Sequence, residues 1–479
     1  MKYSRKYAFA PAAWVCLADL LALMISVAAG IFLRRMIGPP YLPSFEEPLG
    51  DFIISHLDGW IYFCGAILLV NYIVGSYGIH VVVSRFNLLV NWIFSLFAAL
   101  LVVSVTSYAW VELLVGRGVF ACVAAVYAFL SLAFKLFFYR RLLQSDMFVC
   151  NTMVMGTGLL AAKAKRVLEN RHIVPRHRIC AYVEIGGDRR CGSADNDAVP
   201  VVVCSPENLE NTVREYSCDM LVVCAEDRDD AKPYYAALRR VRWSGVEVID
   251  WLSLSEKFSG RVPLDQVDET WLLDASMAPS IEVVRRLKRL MDIGVSIFGL
   301  LVFAPIALVV AFLVKISDPR GRIIYRQTRS GQFGRIFMMY KFRTMHEGAE
   351  DEVGPVWSSR NDPRVTYVGG MLRRFRLDEI PQIVNILKGD MSIVGPRPER
   401  PEIVEELEKT IQFYRERENV PPGLTGWAQV QYPYVDTVGE VARKLEYDLY
   451  YVKNMSIRLD LQIILQTLRI VALGKEREI

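Results

Sequence analysis

The sequence predicts a mixed membrane protein in three parts: four N-terminal transmembrane helices, a parallel α/β domain, and an α-rich domain that carries a re-entrant membrane helix. Three observations lead there. Apolar runs crowd residues 12 to 138, strands alternate with amphipathic helices from 151 to about 275, and a further apolar stretch with a proline in its middle opens the last part. A length of 479 residues is enough for about three domains, and the parts are residues 1–145, 146–275 and 276–479.

In the first part, the runs from about Ala12 to Leu33, Gly59 to Ile79, Leu88 to Trp110 and Val119 to Phe138 each approach or exceed the roughly 20 residues a spanning helix needs. The first is too long, and too poorly followed by a small-residue cleavage site, to be a signal peptide. Lys2, Arg5 and Lys6 precede it, Arg85 lies in the second connection, and Lys135, Arg140 and Arg141 close the fourth run. The positive-inside rule then puts both ends in the cytoplasm, with Arg34 and Arg35 on the wrong side but outweighed. A net charge of +4 with no arginine–aromatic stripe excludes nucleic acid as the partner. All nine cysteines fall at or before Cys224 without CxxC spacing, which indicates neither a disulfide framework nor a zinc site.

In the second part, Thr152 to Met155, Ile179 to Val183, Val199 to Cys204, Met220 to Cys224 and Val246 to Ile249 read as strands, with helices near 159–170, 206–216 and 229–243. The turn Gly156-Thr157-Gly158-Leu159-Leu160-Ala161 follows the first strand and opens a helix, so the domain is Rossmann-like. The third glycine of that fingerprint is replaced by Ala161, and Glu184 lies further on than the usual spacing. Of the two readings, a nucleotide site and a plain tight βα turn, the second is favoured because fold alone does not imply function. No Tyr-x-x-x-Lys occurs, which argues against a short-chain-type sugar-nucleotide oxidoreductase.

The third part opens with Arg285, Arg286, Lys288 and Arg289, then the apolar stretch Ile293 to Val314 around Pro305, then Lys315, Arg320, Arg322 and Arg326. A plain crossing would leave one basic flank on the wrong side. A helix over about 286–316 that breaks at Pro305 and returns to the same face satisfies both; a kinked fifth span is the alternative. Beyond it, 325–327 and 336–341 read as short extended pieces, and 378–388, 399–416 and 439–453 as helices. Ile457 to Leu473 reads as an amphipathic helix, and Asp362-Pro363 as a turn.

Within this part, residues 372–400 place Asp378 and Glu379 between Arg373, Arg374 and Arg376 on one side and Arg397 in Gly-Pro-Arg-Pro on the other. Asp378 is expected at a helix N-cap, with Pro381 in the first turn and Gly389 as the stop, and with its pKa depressed there. The plain reading is an acidic first turn that caps a helix. Lys341, Arg343, Arg373, Arg397 and the helix N-terminus can together neutralise a diphosphate, with Glu379 as a hard oxygen ligand for Mg2+. After Cys224 the chain has no cysteine and one histidine, His346, so an ionised Asp378 is the best candidate nucleophile. Asp292 is expected to pair with Arg286 or Lys288. Trp427, Tyr432, Tyr434, Tyr447, Tyr450 and Tyr451 read as interfacial anchors rather than stacking groups.

Five ordered blocks carry a resemblance: Lys288-Arg-Leu-Met-Asp292 with Pro305, Tyr340-Lys-Phe-Arg-Thr-Met345, Leu377-Asp-Glu-Ile-Pro-Gln382, Gly389-Asp-Met-Ser-Ile-Val-Gly-Pro-Arg-Pro398, and Pro422-Gly-Leu-Thr-Gly-Trp-Ala-Gln-Val430. The sequence resembles the large monotopic form of the bacterial polyprenyl-phosphate phosphoglycosyltransferases, the initiating sugar-1-phosphate transferases of exopolysaccharide and O-antigen synthesis. Tyr432-Pro433-Tyr434 looks like the exopolysaccharide branch, and Ala304-Pro305 stands where the family has Ser-Pro or a similar pair.

The resemblance implies that Asp378 attacks the sugar-bearing phosphorus of a UDP-sugar, releases UMP, and hands the phosphosugar to polyprenyl (undecaprenyl) phosphate. It implies Glu379 on Mg2+, Arg373 and Arg397 on phosphate within the loop of Pro396 and Pro398, and Lys341 or Arg343 in support. It also implies a bacterial inner membrane protein with its catalytic domain on the cytoplasmic face, and a homodimer. Two other classes stand beside it: a non-catalytic membrane scaffold, and a transferase that passes the sugar without its phosphate and so releases UDP. The sequence does not name the sugar.

Overall fold

The computed structural model describes residues 4–37, 48–74, 76–77, 85–109, 117–139, 149–170, 176–185, 199–276, 281–319, 321–346, 364–432 and 438–473. Lys2, Arg140, Arg141, Asp362, Pro363, Pro433 and Tyr434 lie outside them. The chain divides into two compact units, Met1–Ser259 and Gly260–Ile479. Residues 260–275, which the sequence groups with the α/β domain, fold with the second unit. The reason is local bonding: Val262 N donates to Glu446 O at 3.0 Å, Arg261 pairs with Glu446 at 3.1 Å, and Trp427 Nε1 donates to Gly260 O at 2.7 Å.

The first unit begins with α1 (Ser4–Ile37), α2 (Leu49–Ser55), α3 (Leu57–Ile73), α4 (Arg85–Ala109) and α5 (Arg117–Phe134). Leu23, Ile31, Phe63, Ile67, Val103 and Val123 fill the space between them, while Met24, Phe32, Tyr72, Phe97 and Phe129 point outward. An apolar outside as well as an apolar inside is what a lipid-solvated bundle requires. Among the described residues, three helices are long and apolar enough to cross a bilayer: Trp14–Ile37, Gly118–Phe137 and Glu282–Ser317. The α2–α3 pair, bent by 74°, makes a fourth if it is one span; the apolar helix Asn91–Val105 is shorter.

One polar cluster interrupts this bundle. Asp19 of α1 pairs with Lys135 at 3.5 Å and accepts from Asn71 of α3 at 3.4 Å and Ser131 of α5 at 3.1 Å. Asn71 also donates to Tyr127 at 3.1 Å. Lys135 stands at the start of a π-helical turn, Lys135–Tyr139, that continues α5. The α/β part of this unit contains all five expected strands: β1 (Cys150–Met155), β2 (His177–Glu184), β3 (Val201–Val203), β4 (Met220–Val223) and β5 (Glu247–Asp250).

They form one wholly parallel sheet in the order β3-β2-β1-β4-β5, with α6 (Leu159–Leu168), α7 (Leu209–Glu215) and α8 (Tyr235–Trp243) in the connections and α9 (Trp251–Ser259) following β5. Gly156 turns the chain after β1 with φ of +122°, and a Cβ there would meet Cys224 O at 2.4 Å. The first amide of α6, Leu159 N, donates to Glu226 Oε1 at 2.6 Å. The chain's own carboxylate therefore takes the position at the helix N-terminus where a dinucleotide places its pyrophosphate.

The second unit contains α10 (Glu269–Ser276), α11 (Ile281–Ser317), the antiparallel hairpin β6 (Ile324–Ser330) and β7 (Ile336–Phe342), and α12 (Tyr367–Arg374). Then come α13 (Gln382–Lys388), β8 (Ser392–Val394), α14 (Pro401–Thr410), β9 (Gly423–Thr425), α15 (Trp427–Gln431), α16 (Val438–Asn454) and α17 (Ile457–Leu473). Helix α11 runs as one helix through Pro305, without the interruption the sequence leads one to expect. Its first half is fastened by Lys288, which pairs with Asp460 at 2.7 Å, and by Asp292, which accepts from Ile393 N at 3.1 Å.

Asp292 thus takes a backbone amide rather than pairing with Arg286 or Lys288, because Asp460, which also accepts from Tyr451, lies closer to the lysine. Trp427 and Tyr451 are buried, and with the partly buried Tyr447 and Tyr450 they pack in the core around Ile393, Val394 and Ile463, not at an interface.

Candidate active site

The carboxylate pair stands where four pieces of chain meet. Helix α12 ends at Arg374, and Arg376 then adopts a left-handed backbone with φ of 53°. For a non-glycine residue this costs on the order of 1–2 kcal/mol. The reversal leads into a 3₁₀ turn, Leu377–Glu379, which holds Asp378 and Glu379, both buried. Asp378 is therefore not the N-cap of the following helix. Pro381 holds that position, and α13 begins at Gln382, because the left-handed residue tightens the chain one turn too early for an α-helical start. Gly389 is the stop, with φ of +94°.

Asn385, wholly buried, locks α13 against β7: its Oδ1 accepts from Tyr340 N at 3.1 Å and its Nδ2 donates to Met338 O at 2.7 Å. That register sets Lys341 beside the pair, with Nζ 3.8 Å from Glu379 Oε1. Arg397 reaches the same oxygen at 3.5 Å, and Arg376 reaches Oε2 at 3.5 Å. Arg373 is held by Thr344, whose hydroxyl accepts from Nε at 2.9 Å, and its charge acts on Asp378.

Four cations around two carboxylates shift their acidities apart. Burial, then the charge of Glu379, pushes Asp378 above the ordinary aspartate range against Lys341 and Arg373. The depression expected of an N-cap is absent, since no cap is formed. Burial acts to raise Glu379 too, but Arg397, Lys341 and Arg376 outweigh it and hold this carboxyl low. Burial and the neighbouring Arg397 push Lys341 down to about 8, against Glu379 and Asp378.

Of the predicted residues, the structure brings together Asp378, Glu379, Lys341, Arg373 and Arg397. Arg343 is turned elsewhere: its guanidinium holds the Asp318 carboxylate at 3.0 Å and the Asp318 carbonyl at 2.9 Å, beyond the end of α11. Pro396 and Pro398 flank Arg397 and line a small cleft together with Ser330, Glu399 and Arg417. Two groups that sequence reasoning missed hold this loop. Arg329 donates to Pro398 O at 3.2 Å, and Arg417 donates to Arg397 O at 2.9 Å. Neither carried a signal, since Arg417 in Tyr-Arg-Glu-Arg-Glu-Asn reads as one charge of a solvated face.

The loop is also bonded to the last sequence block. Strands β8 and β9 run parallel, Gly395 N donates to Thr425 O and Gly423 N to Pro396 O, each at 2.8 Å. The model of the family described as bacterial sugar transferase matches residues 283–474, which holds the whole of this site. The exopolysaccharide production protein PSS of Rhizobium leguminosarum bv. phaseoli is 40% identical over 189 residues, 38% of this chain and 92% of that protein.

The chain belongs to the bacterial sugar transferase family.

Longer relatives match over a similar region. A UDP-N-acetylgalactosamine-undecaprenyl-phosphate N-acetylgalactosaminephosphotransferase of Aeromonas hydrophila is 38% identical over 256 residues, 53% of this chain and 59% of the relative. A UDP-glucose:undecaprenyl-phosphate glucose-1-phosphate transferase of Escherichia coli K12 is 41% identical over 191 residues, 40% of this chain and 41% of the relative. The chain thus spans about half the length of these curated family members.

Proposed function

We propose that this chain transfers a sugar-1-phosphate from a UDP-sugar to a membrane polyprenyl phosphate, undecaprenyl phosphate as in the relatives' names, and releases UMP. The observation that carries the reading is the cluster of cations at the carboxylate pair. Among the described residues, Lys341, Arg373, Arg376 and Arg397 face Asp378 and Glu379, and guanidinium forks of this kind suit a diphosphate.

In the first half-reaction an ionised oxygen of Asp378 forms a bond to the sugar-bearing phosphorus, and the bond to UMP breaks with its electron pair leaving on UMP. In the second, an oxygen of the lipid phosphate attacks that phosphorus and Asp378 leaves as carboxylate. Arg373, Arg397 and Lys341 hold the phosphate charge throughout. Glu379 stays ionised beside Asp378 and keeps the cations oriented.

The donor set fits Mg2+ only together with substrate. Two adjacent carboxylates and a diphosphate supply the hard oxygens such an ion takes, while the cations at the pair disfavour it alone. When bound, Mg2+ on Glu379 would offset negative charge on the diphosphate.

The reading also places α11 as a helix that enters the cytoplasmic face of the bacterial inner membrane, bends at Pro305 and returns to that face. Support comes from its basic flanks and from packing on both sides of Pro305 against one segment. Arg289 donates to the carbonyls of Ile386 and Leu387, Gly299 lies beside Ile383, and Ala307, Val310 and Val314 cluster with Leu377 and Ile380.

The test is a panel of radiolabelled UDP-sugars incubated with folded protein, Mg2+ and polyprenyl phosphate. UMP and a labelled lipid are expected; UDP instead would make it a transfer without phosphate, and neither product with any donor would favour a scaffold. Single cysteines at 282 and 317 should react with impermeant reagent from the cytoplasmic side alone. Labelling of the two from opposite sides would make α11 a crossing helix.

A further inference from the structure

The loop that presents Arg397 is held through four consecutive carbonyls. Pro396 and Pro398 have no N–H to give, so the carbonyls are the loop's main handles. Pro396 O accepts from Gly423 N at 2.8 Å, Arg397 O from Arg417 at 2.9 Å, Pro398 O from Arg329 at 3.2 Å, and Glu399 O from Ser330 N at 2.9 Å.

Arg417 is the most enclosed of these donors that is a side chain. Its side chain is 5% exposed, it is ion-paired at 2.9 Å with Asp448, whose side chain is 2% exposed, and it donates to Tyr414 Oη at 2.8 Å. One planar guanidinium thus donates to Tyr414 Oη and Arg397 O while its charge pairs with Asp448, which an ammonium cannot do in a single geometry. Replacing both members of a buried pair by apolar groups is often neutral for stability, so a pair kept directly behind Arg397 calls for a role.

We propose that Arg417, anchored by Asp448, is a positioning residue that fixes the backbone of Arg397 and thereby holds the Arg397 guanidinium beside Glu379. Arg417 itself touches no reacting atom. Glu379 is faced by Lys341 from β7, by Arg376 and Asp378 from its own turn, and by Arg397 from the loop. A displaced Arg397 withdraws its guanidinium from the carboxylate pair, and so from the phosphate it is proposed to hold.

The inference rests on the proposed reaction, and the experiment separates the two. UMP release is measured over a range of polyprenyl phosphate concentrations for wild type, Arg417→Met, Arg397→Ala and the double variant, with thermal unfolding as the check on folding. Arg417→Met should lower kcat on the order of 10²-fold, as small misplacements of catalytic groups do, with KM for polyprenyl phosphate unchanged. In the Arg397→Ala background the same change should cost no more than about threefold.

If Arg417→Met does not fold, Arg417→Lys, which keeps the charge and loses the fork, is put through the same cycle. Additive losses, or a change confined to KM, overturn the positioning role alone. No UMP from wild type with any donor overturns the reaction and this inference together.

Discussion

Asp19 and Asp378 are both carboxylates withdrawn from water among cations, one in each unit of the chain, and their surroundings are built in opposite ways. Among the described residues Asp19 faces one cation, Lys135, and the amide and hydroxyl donors Asn71 and Ser131. One carboxylate matched to one ammonium, with both carboxylate oxygens accepting, is how a buried pair fixes helices to one another. Asp378 faces a second carboxylate and, among the described residues, cations from three further pieces of chain. A buried carboxylate pair with its acidities pushed apart is the kind of arrangement the proposed reaction would use, and it contrasts with a plain fastener.

That contrast can be broken at several points. Asp378→Asn should abolish UMP release and any phosphosugar adduct seen by intact-protein mass, a loss of at least ~10³-fold; turnover within tenfold of wild type would strip Asp378 of the nucleophile's role. In the bundle, Lys135→Met leaves Asp19 buried without its cation, which costs about 3–5 kcal/mol. Thermal unfolding should drop while kcat per folded molecule stays level, and Asp19→Leu with Lys135→Met should recover most of the loss. A fall in kcat that the double variant does not restore would make the bundle pair part of the chemistry.

Arg397→Lys keeps one charge and loses the fork, so kcat/KM should fall by about 10- to 100-fold; a silent change would show that charge alone suffices. The smallest effect concerns pH. Lys341, pushed down to about 8, loses its positive charge as pH rises past that value, so activity should decline on the alkaline side. Arginine stays charged there, so Lys341→Arg should extend the plateau and differ from wild type by about tenfold in alkaline decline at pH 9. On the acid side the Asp378–Glu379 pair should take up its first proton above the ordinary aspartate value, because burial and Glu379 raise Asp378.

What was legible in the sequence followed from periodicity and punctuation. The five strands of the α/β sheet, the stop at Gly389 and the gathering of Asp378, Glu379, Lys341, Arg373 and Arg397 all rest on local pattern or block order. What escaped was set by contacts between distant residues. The left-handed Arg376 has no glycine to announce it, and it moves Asp378 off the helix cap into a 3₁₀ turn. Arg343 shares a motif with Lys341, yet two residues along a strand its side chain meets Asp318 instead of the pair. Trp427 and Tyr451 look like interfacial aromatics in one dimension, but hydrogen bonds to Gly260 and Asp460 draw them into the core.

The parallel pairing of β8 with β9 has a bearing on how such chains can be recombined. Where the strands meet, a Cβ on Gly395 would fall 2.2 Å from Pro421 O, and one on Gly423 would fall 2.1 Å from Gly395 N. Neither backbone can shift without the other, so the two blocks behave as one cassette despite the helix and loop between them. A chimera that borrows the Arg397 loop from a relative of different sugar preference should have to import residues 390–430 whole, and a crossover placed inside that interval should give protein that misfolds at the very loop it was meant to transplant.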